Sequence, residues 1–298
     1  MRMLDDRVVI VTGGGRGLGR AHCLELASHG AAVVVNDVGA GVHGEQQLGS
    51  PAAEVAEEIR ARGGTAIVDD SSVADWDGMA QLVARTVSEL GRLDAVVNNA
   101  GITRDRMLMT MSEEDVDLVL AVHVKGTIAL SRHACAYWRL EAKAGRDVSG
   151  RIVNTTSGAG LFGNVGQSNY GAAKSAIATL TVITALEMAR YGVTANAISP
   201  IAATRMTAGL AIGEIDDTTK AWQPRDPANA SPLVAWLCSS QSAWLSGAVL
   251  RVDGNTVQRV RGWEIDQSAT YTSASGERLR ADELDAGLRA AWSCGIAS

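Results

Sequence analysis

Apolar runs rich in β-branched residues alternate along the chain with longer stretches of helical composition, and the rhythm persists to residue 252. Val8-Val9-Ile10-Val11 and Ala31-Ala32-Val33-Val34-Val35 are apolar without a break, the pattern of strands buried on both faces of a parallel sheet. Further strands are expected at 65–69, 93–98, 151–156, 193–198 and 248–252. Between them, Arg20 to His29 has Leu24, Leu26 and Ala27 as apolar positions and Gly30 as a stop, and 51–62, 75–90, 112–137 and 168–190 read as crossover helices. This alternation predicts an α/β fold with one doubly wound parallel sheet flanked by helices. Two stretches break it. Glu141 to Gly150 is polar and reads as a surface loop, while the tail from Asn255 to Ser298 scatters Trp263, Tyr271 and Trp292 among charges. Leu279, Leu284, Leu288 and Trp292 recur there at roughly helical spacing, predicting one amphipathic helix. The expected organisation is therefore a main domain, 1–254, with 255–298 as an extension packed on it, serving as cap, subunit contact or lid over a long ligand.

A glycine-rich segment, Thr12-Gly13-Gly14-Gly15-Arg16-Gly17-Leu18-Gly19, joins the first strand to the first helix. Such a turn brings backbone N–H groups close to a pyrophosphate, and the helix start favours its negative charge. The spacing is Gly-x-x-x-Gly-x-Gly rather than the commoner Gly-x-Gly-x-x-Gly; a turn using glycine only for positive φ is the alternative. Asp37 ends the second strand at the distance, about 20 residues past the loop, where a carboxylate accepts hydrogen bonds from an adenosine ribose and repels a 2′-phosphate. NAD is thus the expected cofactor. Arg16 pulls weakly toward NADP, but an unused surface arginine costs almost nothing, whereas a carboxylate buried against phosphate costs several kcal/mol. Asn98-Asn99-Ala100-Gly101 closes the strand at 93–98, where its amides can bond across strand ends and position a cofactor, or simply end the strand.

Ser157 follows the β-rich run 151–156, and Tyr170 and Lys174 stand four apart on one expected helix, so a phenol and an ammonium can aim at one point. A free phenol, with a pKa of about 10, is a poor base at neutral pH. A neighbouring Lys⁺ and a cationic nicotinamide ring both favour the phenolate, and the Ser157 hydroxyl can hold a substrate oxygen beside it. The alternative is a core tyrosine with a wet tip and a solvated helix lysine.

Thr12-Gly13-x3-Gly17-x-Gly19, Asn98-Asn99-Ala100-Gly101, Ser157, Tyr170-x3-Lys174 and Val252-Asp253-Gly254 together resemble the short-chain dehydrogenase/reductase family over about residues 4–254. The resemblance implies a single Rossmann-like domain and hydride transfer between nicotinamide and a carbon bearing OH or C=O. It implies Tyr170 as acid/base, Lys174 as the group that lowers its pKa and binds the nicotinamide ribose, and Ser157 as the holder of the substrate oxygen. By the same resemblance Gly13, Arg16, Gly17, Leu18, Gly19, Asp37, Asn99, Ala100, Gly101, Tyr170, Lys174 and Thr204 line the cofactor. Two positions depart from the usual pattern. His123 stands in His123-Val124-Lys125-Gly126 where many members have an Asn that kinks a helix for a proton relay; a core or interface histidine is the alternative. Ile201 follows Pro200 where glycine is usual, leaving Thr204 near the place of a threonine that bonds the nicotinamide amide.

With Val35-Asn36-Asp37, the long loop Gly39 to Ser50, Asn98 through Arg106, His123, Gly163-Asn164-Val165-Gly166-Gln167 and Gly262-Trp263, the chain is similar to the (3R)-hydroxyacyl-CoA dehydrogenase domains of peroxisomal multifunctional enzymes and their bacterial relatives. That implies oxidation of a 3-hydroxyacyl-CoA to the 3-oxoacyl-CoA in degradation of fatty acids or steroid side chains, with Arg104, Arg106 and Arg205 as candidates for holding CoA phosphates, and a homodimer or homotetramer built through the 112–137 and 168–190 helices. A hydroxysteroid or other carbonyl oxidoreductase and a non-catalytic dinucleotide-binding regulator are the alternatives.

At 298 residues and 46% apolar composition the chain can build one extensive core. A net charge of −6 without a basic stripe argues against a nucleic-acid groove. Cys23, Cys135, Cys238 and Cys294 show no Cys-x-x-Cys spacing and the five histidines no metal pattern, so reduced thiols, no metal and a cytoplasmic protein are expected. Asp5 and Asp6 before the first strand fit no secretory signal, and no apolar run is expected to span a membrane.

Overall fold

The computed structural model describes residues 2–45, 49–204, 206, 215–216, 219, 221–262, 264–273 and 278–292. Arg205, Trp263 and Cys294 lie outside the described residues.

Among the described residues, β1 (Val8–Thr12), β2 (Ala32–Asn36), β3 (Thr65–Asp69), β4 (Ala95–Asn98), β5 (Arg151–Thr155), β6 (Thr194–Ile201), β7 (Val249–Asp253) and β8 (Thr256–Val260) form one sheet in the order β3-β2-β1-β4-β5-β6-β7-β8. Every pairing is parallel except the terminal β7–β8 hairpin. The order reverses between β1 and β4, and open α/β sheets bind ligands in the crevice beyond the strand ends at such a switch point. The fold is the expected Rossmann-like α/β sheet.

Residues of β1 alternate between two cores, as a period of two requires. Val9 and Val11 face a layer with Leu26, Val55 and Ile59, while Ile10 faces Met79, Leu82, Leu130 and Trp138. The first layer is built by α1 (Gly17–Ser28), α2 (Pro51–Ala61) and α8 (Ser231–Leu237). The second rests on α3 (Trp76–Leu90), on α5 (Gly126–Lys143), which follows α4 (Glu113–Leu120), and on α7 (Ser168–Met188). A short α6 (Gly158–Phe162) begins at Ser157.

The expected loop at 141–150 starts late, because Glu141 to Lys143 continue α5, and Arg146 pairs back onto Glu141. The expected helix at 112–137 is interrupted by a π turn, Ala121–Lys125, centred on His123. Helix α7, continued to Tyr191, is long and apolar enough by length and composition to cross a membrane, but it buries Asn169, Ala173, Lys174 and Ile177 against the sheet, as a core helix does. The chain divides into two compact units, Met1–Val260 and Arg261–Ser298, so the β7–β8 hairpin carries the first unit past residue 254. The second unit holds α9 (Ala281–Trp292), where Trp292 Nε1 donates to Ala269 O at 2.6 Å.

Candidate active site

A cleft of about 710 Å³ runs along the carboxyl ends of the strands on both sides of the switch point. Its walls include Gly13, Arg16, Gly17, Leu18, Gly19, Asp37, Asn99, Ala100, Gly101, His123, Ser157, Tyr170, Lys174 and Thr204, which brings the candidate cofactor and catalytic residues to one place, while the candidate CoA contacts Arg104 and Arg106 do not line it.

The glycine loop is shaped by close backbone packing. Gly13 takes φ +62, and a Cβ on Gly19 would stand 1.9 Å from Gly13 O. No side chain caps α1 at Arg16, and the cleft is lined by its first residues, Gly17, Leu18 and Gly19, whose N–H groups at a helix start suit an anion. Thr204 reaches over this loop; a Cβ on Gly17 would lie 3.6 Å from its Cγ2. Asp37 Oδ2 accepts from Gly15 N–H at 2.9 Å and Oδ1 from Gly39 N–H at 2.8 Å, which fixes the carboxylate and leaves each oxygen further lone pairs. A tight glycine floor, a helix start and an oriented carboxylate suit the pyrophosphate and ribose of a dinucleotide.

Strand β4 is stitched to its neighbours by side chains. Asn99 Nδ2 donates to the carbonyls of Thr12 (3.0 Å) and Gly13 (3.2 Å), while Thr12 Oγ1 accepts from the N–H groups of Asn99 and Ala100. Asn98 Nδ2 donates to Asn154 Oδ1 and Ser131 Oγ, and Asn154 Nδ2 donates to Thr181 Oγ1, all buried. Asn154, Thr181 and Ser131 carried no signal in sequence, because each is an ordinary strand or helix residue until the topology places them side by side.

Ser157 caps α6 by accepting from Ala159 N–H at 3.3 Å, and its hydroxyl is near enough to the Tyr170 phenol to oppose the upward push of burial on that group. Tyr170 is set by Asn169, whose Oδ1 accepts the Tyr170 N–H at 2.7 Å while Nδ2 donates to the carbonyls of Arg104 and Asp115. Lys174 is buried; its Nζ donates to Thr155 O at 2.7 Å and lies 5.6 Å from the centre of the Tyr170 ring. Gly160 lets α6 and α7 meet, since a Cβ there would fall 2.6 Å from the Lys174 carbonyl carbon.

The electrostatics of the protein alone run opposite to the expectation for the phenol. Burial pushes Tyr170 up to about 12, opposed by the Ser157 hydroxyl and reinforced by the Asp105 charge. Burial also pushes the Lys174 ammonium down to about 7. Lys174 therefore holds its charge weakly at neutral pH, and no positive charge is among the causes that act on the phenol.

His123 is fully buried. Its Nε2 lies 2.8 Å from Ile102 O and accepts from Ile102 N–H at 3.1 Å, contacts that one nitrogen satisfies only in alternate tautomers, and its Nδ1 has no partner. Burial, then the Lys174 charge, pushes the imidazole down to about 3, so it is neutral throughout the physiological range. The candidate CoA contact Arg104 is engaged elsewhere, in ion pairs with Asp115 and Glu114 and in a hydrogen bond to His43 O. Arg106 is exposed; its N–H donates to Gly166 O at 2.8 Å, joining the post-β4 segment to the turn before α7. Cys23, Cys135 and Cys238 are free thiols, and no cluster of metal-ligating side chains occurs among the described residues.

The short chain dehydrogenase family matches residues 7–213. Hydroxyacyl-CoA dehydrogenase ChsB1 of Mycobacterium tuberculosis is 43% identical over 291 residues, covering 96% of this chain and 88% of that protein. A peroxisomal hydratase-dehydrogenase-epimerase of Neurospora crassa is 40% identical over 279 residues, covering 94% of this chain; the chain spans only 28% of the fungal protein. A crystal structure of a short chain dehydrogenase from Mycobacterium avium superposes with a TM-score of 0.84 at 49% identity, covering 95% of this chain and 93% of that one. The chain belongs to the short-chain dehydrogenase family and is an oxidoreductase acting on CH–OH groups.

Proposed function

We propose that the protein oxidises 3-hydroxyacyl-CoA thioesters to 3-oxoacyl-CoA with NAD⁺, in the degradation of fatty acids or steroid side chains. The observation that carries this reading is the convergence of Ser157, Tyr170 and Lys174 on one wall of a cleft whose opposite end holds Asp37 and the glycine loop. The thioester assignment is supported by the hydroxyacyl-CoA dehydrogenase relative. Exposed apolar side chains also support it: Met107, Leu108 and Met109 are half or more exposed on the segment that Arg106 fastens to Gly166, Val165 is exposed next to Gly166 in sequence, and Phe162 is exposed where it lines the cleft.

Ser157 holds the substrate hydroxyl beside the phenol. Tyr170, as phenolate, takes the hydroxyl proton, and the C–H electron pair at the same carbon leaves as hydride. Bound nicotinamide supplies the hydride acceptor and the positive charge that favours the phenolate. Lys174, held by Thr155 O with its ammonium 5.6 Å from the centre of the phenol ring, would bond the nicotinamide ribose. His123 supports the π turn behind Tyr170 and moves no proton itself. The exposed apolar positions Val182, Ile183 and Leu186 on α7 support assembly as a homodimer or homotetramer, and the free thiols support a cytoplasmic setting.

NAD⁺ and NADP⁺ reduction measured against hydroxyacyl-CoAs of graded size and free hydroxysteroids tests the reading. Turnover of the thioesters with NAD⁺, abolished by Tyr170→Phe with dinucleotide binding largely spared, is expected. Turnover of free steroids alone, or single-turnover activity retained by Tyr170→Phe, overturns it.

A further inference from the structure

The segment 40–45, which leaves β2 just after Asp37, is fastened to the far side of the cleft. Val42 O accepts from Thr103 N–H at 3.0 Å. His43 Nδ1 donates to Thr103 O at 2.8 Å, and Arg104 Nε donates to His43 O at 2.8 Å. Gly44, at φ +87, is tucked under α4, where a Cβ would stand 3.1 Å from Leu118 Cδ2 and 3.6 Å from Ile102 Cδ1. The segment is also closed on itself: Gly41 N–H donates to Glu45 O at 2.7 Å and His43 N–H to Glu45 Oε2 at 3.0 Å. Ala40, Gly41, Val42 and Gly44 all face the cleft.

The anchor is stiff. Arg104 is held by Asp115 and Glu114 through its guanidinium and by Asn169 through its carbonyl, and Asn169 in turn fixes the first turn of α7. The six residues 40–45 thus link the carboxylate end of the cleft to the segment that positions the phenol.

We propose that residues 40–45 form a strap over the adenosine half of the bound dinucleotide, with His43 as the positioning residue that latches it to Thr103. The proposal rests on the dinucleotide reading of the cleft given above. A strap latched before the ligand arrives need not be ordered on binding, so affinity rises by the ordering cost avoided, and escape requires the latch to open. His43 suits this place because Nδ1–H points at a backbone carbonyl, a contact that neither protonation state removes. An asparagine amide places its nitrogen where Nδ1 stands and keeps the donor; alanine does not.

The test compares the whole protein with its His43→Ala and His43→Asn variants. Dissociation of NADH is followed by stopped-flow fluorescence, and ADP-ribose, which carries the adenosine half without nicotinamide, is titrated calorimetrically. His43→Ala is expected to speed NADH release and weaken both ligands about five- to tenfold, the worth of one hydrogen bond of this kind. His43→Asn is expected to stay within about twofold of the parent by the same reckoning. Equal affinities and release rates for the parent and His43→Ala overturn the strap, and weakening by His43→Asn as large as by His43→Ala overturns the latch bond. A parent that binds neither NADH nor ADP-ribose overturns the dinucleotide reading itself, and the strap falls with it.

Discussion

The imidazole of His123 stands edge-on to the phenol ring of Tyr170, with centroids 5.3 Å apart and planes at 87°. The same histidine bridges to both backbone groups of Ile102, and Gly101 is required beside it because a Cβ there would lie 2.5 Å from His123 Cε1. One side chain therefore backs the phenol and ties the segment after β4 to the π turn. A glutamine reaches as far as Nε2 and offers donor and acceptor together, which the single nitrogen cannot. His123→Gln is expected to keep melting temperature and turnover near the parent. His123→Phe fills the volume but strands the Ile102 N–H and C=O, and should cost about 1–3 kcal/mol with a loss of kcat. Thermal melts and steady-state rates on the two variants decide the point.

Lys174 is destabilising where it sits. Folding lowers its pKa from 10.5 to about 7, so between those values the unfolded chain binds more protons than the folded one. Stability must then rise with pH across that window, and the burial penalty is full below pH 7. Lys174→Met removes the penalty while giving up the bond to Thr155 O. The variant is expected to be more stable than the parent by on the order of 1–3 kcal/mol at pH 6–7. The gain should shrink to nothing or reverse near pH 10, and turnover should fall sharply at every pH. Urea melts across this range measure the crossing; a variant less stable at pH 6 would refute the account.

Much of this arrangement is legible in the chain before any coordinates. The unbroken apolar runs of β1 and β2, the glycine spacing and Asp37 locate one end of the cleft, and Tyr170 with Lys174 at helical spacing locates the other. What sequence reading misses depends on backbone partners. That Asn169 bonds the carbonyls of Arg104 and Asp115 follows only once α7 lies beside α4, and that Lys174 bonds the Thr155 carbonyl only once α7 lies beside β5. The short α6 and the β8 strand are missed for a related reason: Gly158–Phe162 is glycine-rich and too short for a periodic signal, and Thr256–Val260 has one face like the other, both exposed. Arg104 misleads because an arginine at a strand end looks the same whether it meets a phosphate or, as here, Asp115.

Asp37 should select the cofactor through charge. Its oxygens are already aimed by Gly15 and Gly39, so a 2′-phosphate would meet an oriented carboxylate with no freedom to turn away. Arg16 stands on the same wall, with Nη1 3.4 Å from Ala40 O, and can greet a phosphate once the carboxylate is gone. Asp37→Ser is expected to move the ratio of kcat/KM for NAD⁺ over NADP⁺ by at least about tenfold toward NADP⁺, the scale of an unpaired charge repulsion partly relieved by water. An unchanged ratio would remove Asp37 from the role of ribose selector.

His22 gives a prediction independent of the cleft. It is fully buried in α1, with Nδ1 2.8 Å from Ser231 Oγ at the start of α8, and Nε2 has no partner. Burial pushes it down to about 3, as it does His123, so both enter the fold neutral. Between pH 6.5 and 3 the unfolded chain binds the protons that the folded one refuses, and stability is lost as pH falls through that window. Each histidine contributes about 1.4 kcal/mol per pH unit there. His22→Asn keeps a partner for Ser231 and removes one titrating group. Its stability is expected to fall less between pH 6.5 and 4.5 than that of the parent, by about 2–3 kcal/mol. Activity at neutral pH should be unchanged, because His22 lies outside the cleft. Denaturant melts at a series of pH values measure the slope, and parallel slopes for parent and variant would show that His22 does not enter the fold uncharged.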